Sequence, residues 1–141
     1  MTVRNMMTPN PACCTRDTTL QEVARMMVKC DCGEIPVVER QDLRRPIGVV
    51  TDRDIVCRAV AEGKSPLEGV ATVMSSPALT INQDDDIDAV IQVMETHQIR
   101  RVPVVDQNGE ICGIVSLADI ARLNSRKDTG ELVREVSAPA K

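Results

Sequence analysis

None of the 141 residues is Phe, Tyr or Trp, yet 43% are hydrophobic and 27% charged, so the chain is globular with a core of Val, Ile, Leu, Met, Ala and Cys. The formal charge is −4, and without a basic stripe or rings for bases to stack on, the composition argues against a nucleic-acid partner. No apolar run is long enough to span a bilayer and no secretory core follows Met1, which points to one cytoplasmic domain with no membrane partner.

In chain order, a lead-in over residues 3–9 precedes a short strand at Ala12-Cys13-Cys14-Thr15. Thr19 opens a helix with a capping box to Glu22. Leu20, Val23, Ala24, Met27 and Cys30 form its buried stripe, and Gly33 stops it. Ile35-Pro36-Val37-Val38 reads as a strand, with a polar connection over residues 39–45 leading to a second strand that ends at Val50. A helix is predicted over residues 52–61, ending at Gly63, and Ser65-Pro66 opens a linker with one helical turn at residues 67–70.

The pattern then returns. Met7, Asp17, Val23, Met27, Pro36, Val37 and Val38 fall on Met74, Asp84, Val90, Met94, Pro103, Val104 and Val105, an offset of 67 that drops to 65 after the turn at Asn108-Gly109. Ile87, Val90, Ile91 and Met94 stripe the second helix, and Asp84-Asp85-Asp86 complement its dipole better than they suggest a metal site. A last capping signal, Asp128-x-x-Glu131, predicts a short helix in the tail. The fold class is α/β: strand–helix–strand–strand–helix written twice, with a first copy and its lead-in over residues 1–65, a linker and second copy over 66–126, and a tail over 127–141. About sixty residues cannot cover a sheet alone, so the copies are expected to pack sheet face to sheet face with pseudo-two-fold symmetry.

Each copy carries one apolar strand followed by a hydroxyl and, three positions on, an aspartate: Gly48-Val49-Val50-Thr51-x-x-Asp54 and Gly113-Ile114-Val115-Ser116-x-x-Asp119. One job for such a pair is helix capping. The other is holding a nucleotide, with the hydroxyl and helix N-terminus toward phosphate and the carboxylate toward a ribose diol. Both motifs would then face clefts between the copies, where small ligands bind.

With Met7-Thr8-Pro9, Val73-Met74-Ser75 and Arg101-Val102-Pro103-Val104-Val105-Asp106 added to these motifs, residues 3 to 126 resemble the CBS-domain pair, or Bateman module. The resemblance implies regulation rather than catalysis: an adenosine ligand (AMP, ADP, ATP, NAD or S-adenosylmethionine) bound in the clefts and signalling to a separate effector protein. It assigns the ribose to Asp54 and Asp119 and phosphate to Thr51 and Ser116. The base falls to Val49 with Ile99 and Arg100 in one cleft, and to Ile114 with Cys32 and Gly33 in the other. Arg100 and Arg101 beside Ser116, and Arg53 beside Asp54, are further candidates for phosphate. It also implies a homodimer, and helix 52–61, apolar around much of its circumference, needs a second covering surface.

The alternative is a ligand-free dimerisation or docking module in which the same motifs only cap helices; Cys32 and Glu34 are unfavourable beside a nucleotide. No catalytic residue is assigned, since the chain has no nucleophile elbow, P-loop or GxGxxG. Cys57 and Cys112 read as buried small hydrophobes. Cys30-Asp31-Cys32 with Cys13-Cys14 has spacing unlike a structural zinc site, and His97 is the only histidine, so no metal is assigned.

Overall fold

The structure, a computed structural model, describes residues 1–123; the expected tail helix lies outside the described residues. The elements are β1 (Thr8–Pro9), β2 (Cys14–Thr15), α1 (Leu20–Cys30), β3 (Glu34–Arg40), β4 (Leu43–Thr51) and α2 (Asp52–Asp54), which runs into a π-helix at Ile55–Val60. They continue with β5 (Ile81–Asn82), α3 (Ile87–His97), β6 (Arg101–Val105), β7 (Ile111–Ser116) and α4 (Leu117–Leu123). The chain forms two compact units, one of Pro11–Leu79 and one of Met1–Asn10 with the described residues from Thr80 on.

In the unit Pro11–Leu79 the sheet order is β2-β3-β4, with β2 parallel to β3 and β3 antiparallel to β4. Its core joins Leu20, Val23 and Met27 of α1 to Ile35, Val37 and Val50 of the sheet, with Cys14, Ala59, Val70 and Val73. Thr19 caps α1 by accepting the Glu22 N–H at 3.1 Å, as the sequence predicts. The linker completes the cap, because the carbonyls of Glu68 and Pro66 accept the N–H groups of Leu20 and Gln21.

Several expectations need correction here. Helix α1 turns left-handed at Asp31 (φ 52°) rather than stopping at Gly33, and Cys30 in its last turn is exposed rather than buried. Gly33 instead permits close approach, since a Cβ there would stand 2.8 Å from Asp52 Oδ2. The polar stretch 39–45 is mostly strand, because a hairpin that extends past the core has no need of apolar alternation. The predicted helix 52–61 widens into a π-helix, with bonds five residues apart from Ala61 N–H to the Val56 carbonyl and from Lys64 N–H to that of Ala59. Ala59 is its buried position, leaving Cys57 exposed rather than buried. The linker's helical turn forms at Val70–Thr72.

In the other unit the sheet order is β1-β7-β6-β5, with β5 parallel to β6 and the remaining pairs antiparallel. Val3 and Met6 of the lead-in pack with Ile81, Val90, Met94, Val102, Val104, Val115 and Ile120. Asp86 caps α3 through the Ile87 N–H, Asp85 accepts the Asn82 N–H, and Asp84 pairs with Arg4. Asp106 and Gly109 (φ +77°) make the tight turn before β7.

The compact units thus cut the chain differently from the sequence repeats. The lead-in packs with the second copy and residues 66–79 with the first. The exchange is itself repeated: Val49 bridges Ser75 in one unit as Ile114 pairs with Thr8 in the other.

Candidate ligand-binding site

Each strand-to-helix corner is closed by a reciprocal pair of hydrogen bonds. The Thr51 N–H donates to Asp54 Oδ2 at 3.0 Å while the Asp54 N–H donates to Thr51 Oγ1 at 3.0 Å. In the second copy the Ser116 N–H donates to Asp119 Oδ2 at 2.9 Å and the Asp119 N–H to Ser116 Oγ at 3.1 Å. The capping reading therefore holds at both corners.

An N3 aspartate that served only as a cap would ordinarily sit in solvent. These two are 9% and 5% exposed, the only buried charged side chains among the described residues. Burial favours a carboxylate whose oxygens find donors. The cap engages only Oδ2, leaving Oδ1 to other partners. Among the described residues, Oδ1 of Asp54 has the Arg58 guanidinium at 3.9 Å, beyond hydrogen-bond range, whereas Oδ1 of Asp119 accepts a bond from Arg122 Nη2. The two hydroxyls likewise keep their protons, because each uses its oxygen as an acceptor.

The strand register sets what stands beside each hydroxyl. Thr51 lies across from Glu34, and Ser116 lies across from Arg101. The Asp52 N–H donates to the Gly33 carbonyl at 2.9 Å and the Leu117 N–H to the Arg100 carbonyl at 2.8 Å. Cys32-Gly33 thus adjoins the Thr51 corner, and Ile99-Arg100 adjoins the Ser116 corner. Val49 and Ile114 are half-buried on their strands, opposite Pro36 and Pro103. Arg53 and Arg100 are exposed.

The sequence reading missed Arg58 and Arg122. Their spacing from the aspartates, four and three residues, is the ion-pair spacing of a helix and was the available signal.

Cys13 and Cys14 are buried and Cys32 and Cys112 half-buried. Burial pushes the Cys14 thiol up to about 12, and Cys13 is raised by burial despite Arg44, whose Nη2 is 3.1 Å from its Sγ. Among the described residues no three His, Cys, Asp or Glu side chains form a group able to hold a metal ion, and no helix is long and apolar enough to cross a membrane.

The CBS domain family model matches residues 3–60 and 70–126. The CBS domain-containing protein YhcV of Bacillus subtilis is 38% identical over 136 residues, covering 96% of this chain and 94% of that protein. An uncharacterized protein of Methanopyrus kandleri is 37% identical over 106 residues, 74% of this chain, and the match spans about half (53%) of its length.

Among solved structures, Hypoxic Response Protein I with two coordinated zinc ions superposes with a TM-score of 0.80 at 32% identity, covering 89% of this chain and 100% of that one. A protein of that name comes from Mycobacterium tuberculosis. A CBS domain protein of Pyrobaculum aerophilum complexed with AMP also has a TM-score of 0.80, at 29% identity, covering 94% and 98%. With two matched segments that span nearly all of its described length, this chain belongs to the CBS domain family.

Proposed function

We propose that this chain is a regulatory module that binds an adenosine nucleotide and signals its presence to a separate effector protein. Asp54 and Asp119 hold ribose hydroxyls, Thr51 and Ser116 donate to phosphate, and Val49 and Ile114 contribute to the base site. The observation that carries the reading is a pair of buried carboxylates, each fixed through one oxygen by its own backbone. A fixed carboxylate accepts two O–H donors with little ordering cost, and bonds to a charged acceptor are each worth about 1.5–3 kcal/mol. The AMP carried by the Pyrobaculum protein supports the ligand class.

Arg101 opposite Ser116, against Glu34 opposite Thr51, favours the second copy for phosphate-rich ligands such as ATP. Arg100 and Arg53 are secondary phosphate partners, and Ile99, Cys32 and Gly33 complete the base contacts. The module acts in the cytoplasm, without catalysis of its own, as a homodimer. Its dimer surface carries Val28 (83% exposed), Val56 (60%) and Val60 (70%), apolar side chains that a second copy would cover.

Isothermal titration with AMP, ATP and NAD tests the reading, together with mass spectrometry of any ligand that copurifies. Saturable binding weakened by Asp54→Ala or Asp119→Ala is the expected result. Affinities unchanged in both variants remove the ribose assignment. A second reading, a ligand-free docking module, draws on the completed capping boxes and predicts no heat with any adenosine compound.

A further inference from the structure

We propose that Arg122 sets the ribose affinity of the second copy by occupying the very carboxylate oxygen that a ribose hydroxyl needs, a latch that the first copy does not have. This rests on the reading that Asp54 and Asp119 hold ribose.

The two carboxylates are held alike by their backbones but differ on the opposite side. Arg122, three residues after Asp119 on α4, donates through Nη2 to Oδ1. The corresponding position of the first copy is Cys57, which carries no charge. Arg58 stands one position further on, in the π-helix, and donates instead to the Val73 carbonyl at 3.2 Å, which keeps its Nη1 3.9 Å from Asp54 Oδ1. A carboxylate offers about four lone-pair directions over its two oxygens. Asp54 has spent one of them on the backbone, whereas Asp119 has spent two, and its outward oxygen is covered by a guanidinium.

A ribose diol arriving at Asp119 must therefore displace Arg122. The displacement is feasible because the Arg122 side chain is 69% exposed and can swing into water, while Asp119 stays buried. With its guanidinium mostly in water the pair is weak, which sets the penalty at about two- to fivefold in affinity. The consequence is a division of labour. An uncharged nucleoside fills the first copy more readily, and the second copy favours ligands whose phosphate recovers the loss at Arg101.

Adenosine isolates the effect because it has no phosphate. The full chain is titrated calorimetrically with adenosine in the Asp54→Asn background, which silences the first site but keeps an oxygen to accept the Thr51 N–H. Adding Arg122→Gln there should tighten adenosine about two- to fivefold. It should also abolish a salt effect: with Arg122 present, affinity for the neutral ligand rises with ionic strength as salt screens the competing pair. In the Asp119→Asn background Arg122→Gln should change nothing.

If Asp54→Asn does not fold, the same result is read from the wild type as a narrowing of the gap between its two affinities. Unchanged or weakened adenosine binding on adding Arg122→Gln overturns the latch while the ribose assignment stands. Adenosine binding indifferent to both Asp→Asn substitutions, or absent throughout, overturns the ribose assignment and the latch with it.

Discussion

Thr51 and Ser116 each accept a backbone N–H through the side-chain oxygen, so the hydroxyl proton remains available to a ligand. Capping and binding are separable for that reason. Thr51→Ala and Ser116→Ala should each lower unfolding free energy by about 0.5–2 kcal/mol in denaturant titrations, the usual cost of a lost N-cap. The same variants should weaken AMP more than adenosine; equal effects on both would remove the phosphate role.

The buried thiol of Cys14 gives a pH prediction. Its pKa is raised from 9.0 to about 12, chiefly by burial. The folded state thus keeps a proton that the unfolded chain gives up, and stability is full below pH 9 and falls as pH rises from 9 toward 12. Thermal melts across that window should show a shallower decline in Cys14→Ala than in the wild type, once the constant offset from the lost packing is subtracted. Parallel declines would refute it.

At the scale of elements, the exchanged segments are fitted by glycine. A Cβ on Gly48 would stand 2.6 Å from the Ser75 carbonyl oxygen, whereas on Gly113 the closest atom is Met7 Sδ, the far part of a flexible side chain. Gly48→Ala should therefore cost about 1–3 kcal/mol. Gly113→Ala should be rescued in part by Met7→Ala, while Met74→Ala should not rescue Gly48→Ala; a double-mutant cycle measures both. Helices α1 and α3 were legible in the sequence because an apolar stripe and a cap residue both mark them, and β3, β4, β6 and β7 because β-branched runs flank turns. The π-helix was not, since no residue pattern distinguishes bonds five apart from bonds four apart; geometry alone moved Cys57 to the surface. Nor was the exchange of lead-in and linker, because local patterning says which face is buried and not which segment covers it. Of the site, the corners Thr51/Asp54 and Ser116/Asp119 were legible through repetition, and the arginines that distinguish them were not, because the second reads as an ordinary exposed helix charge.

For the whole molecule the question is what covers the apolar positions of the unit Pro11–Leu79. Val56 and Val60 lie about one turn apart on the π-helix, and Val28 stands on α1; each is at least 60% exposed. Isolated exposed valines are ordinary, but three on the two helices of one unit fit the proposed homodimer, in which a second copy would cover them. The polar alternative is poor, because Arg58, the basic residue of the π-helix, is already engaged with the Val73 carbonyl. A homodimer built on this surface would place charge badly if either valine became acidic, since two-fold symmetry sets each substitution against its own copy or near it. Val56→Asp with Val60→Asp should therefore halve the mass measured by sedimentation equilibrium while leaving the far-ultraviolet circular dichroism and the adenosine affinity of the Asp119 site intact. A wild-type chain that sediments as a monomer at micromolar concentration, or a double variant that remains dimeric, would overturn the homodimer reading of this surface.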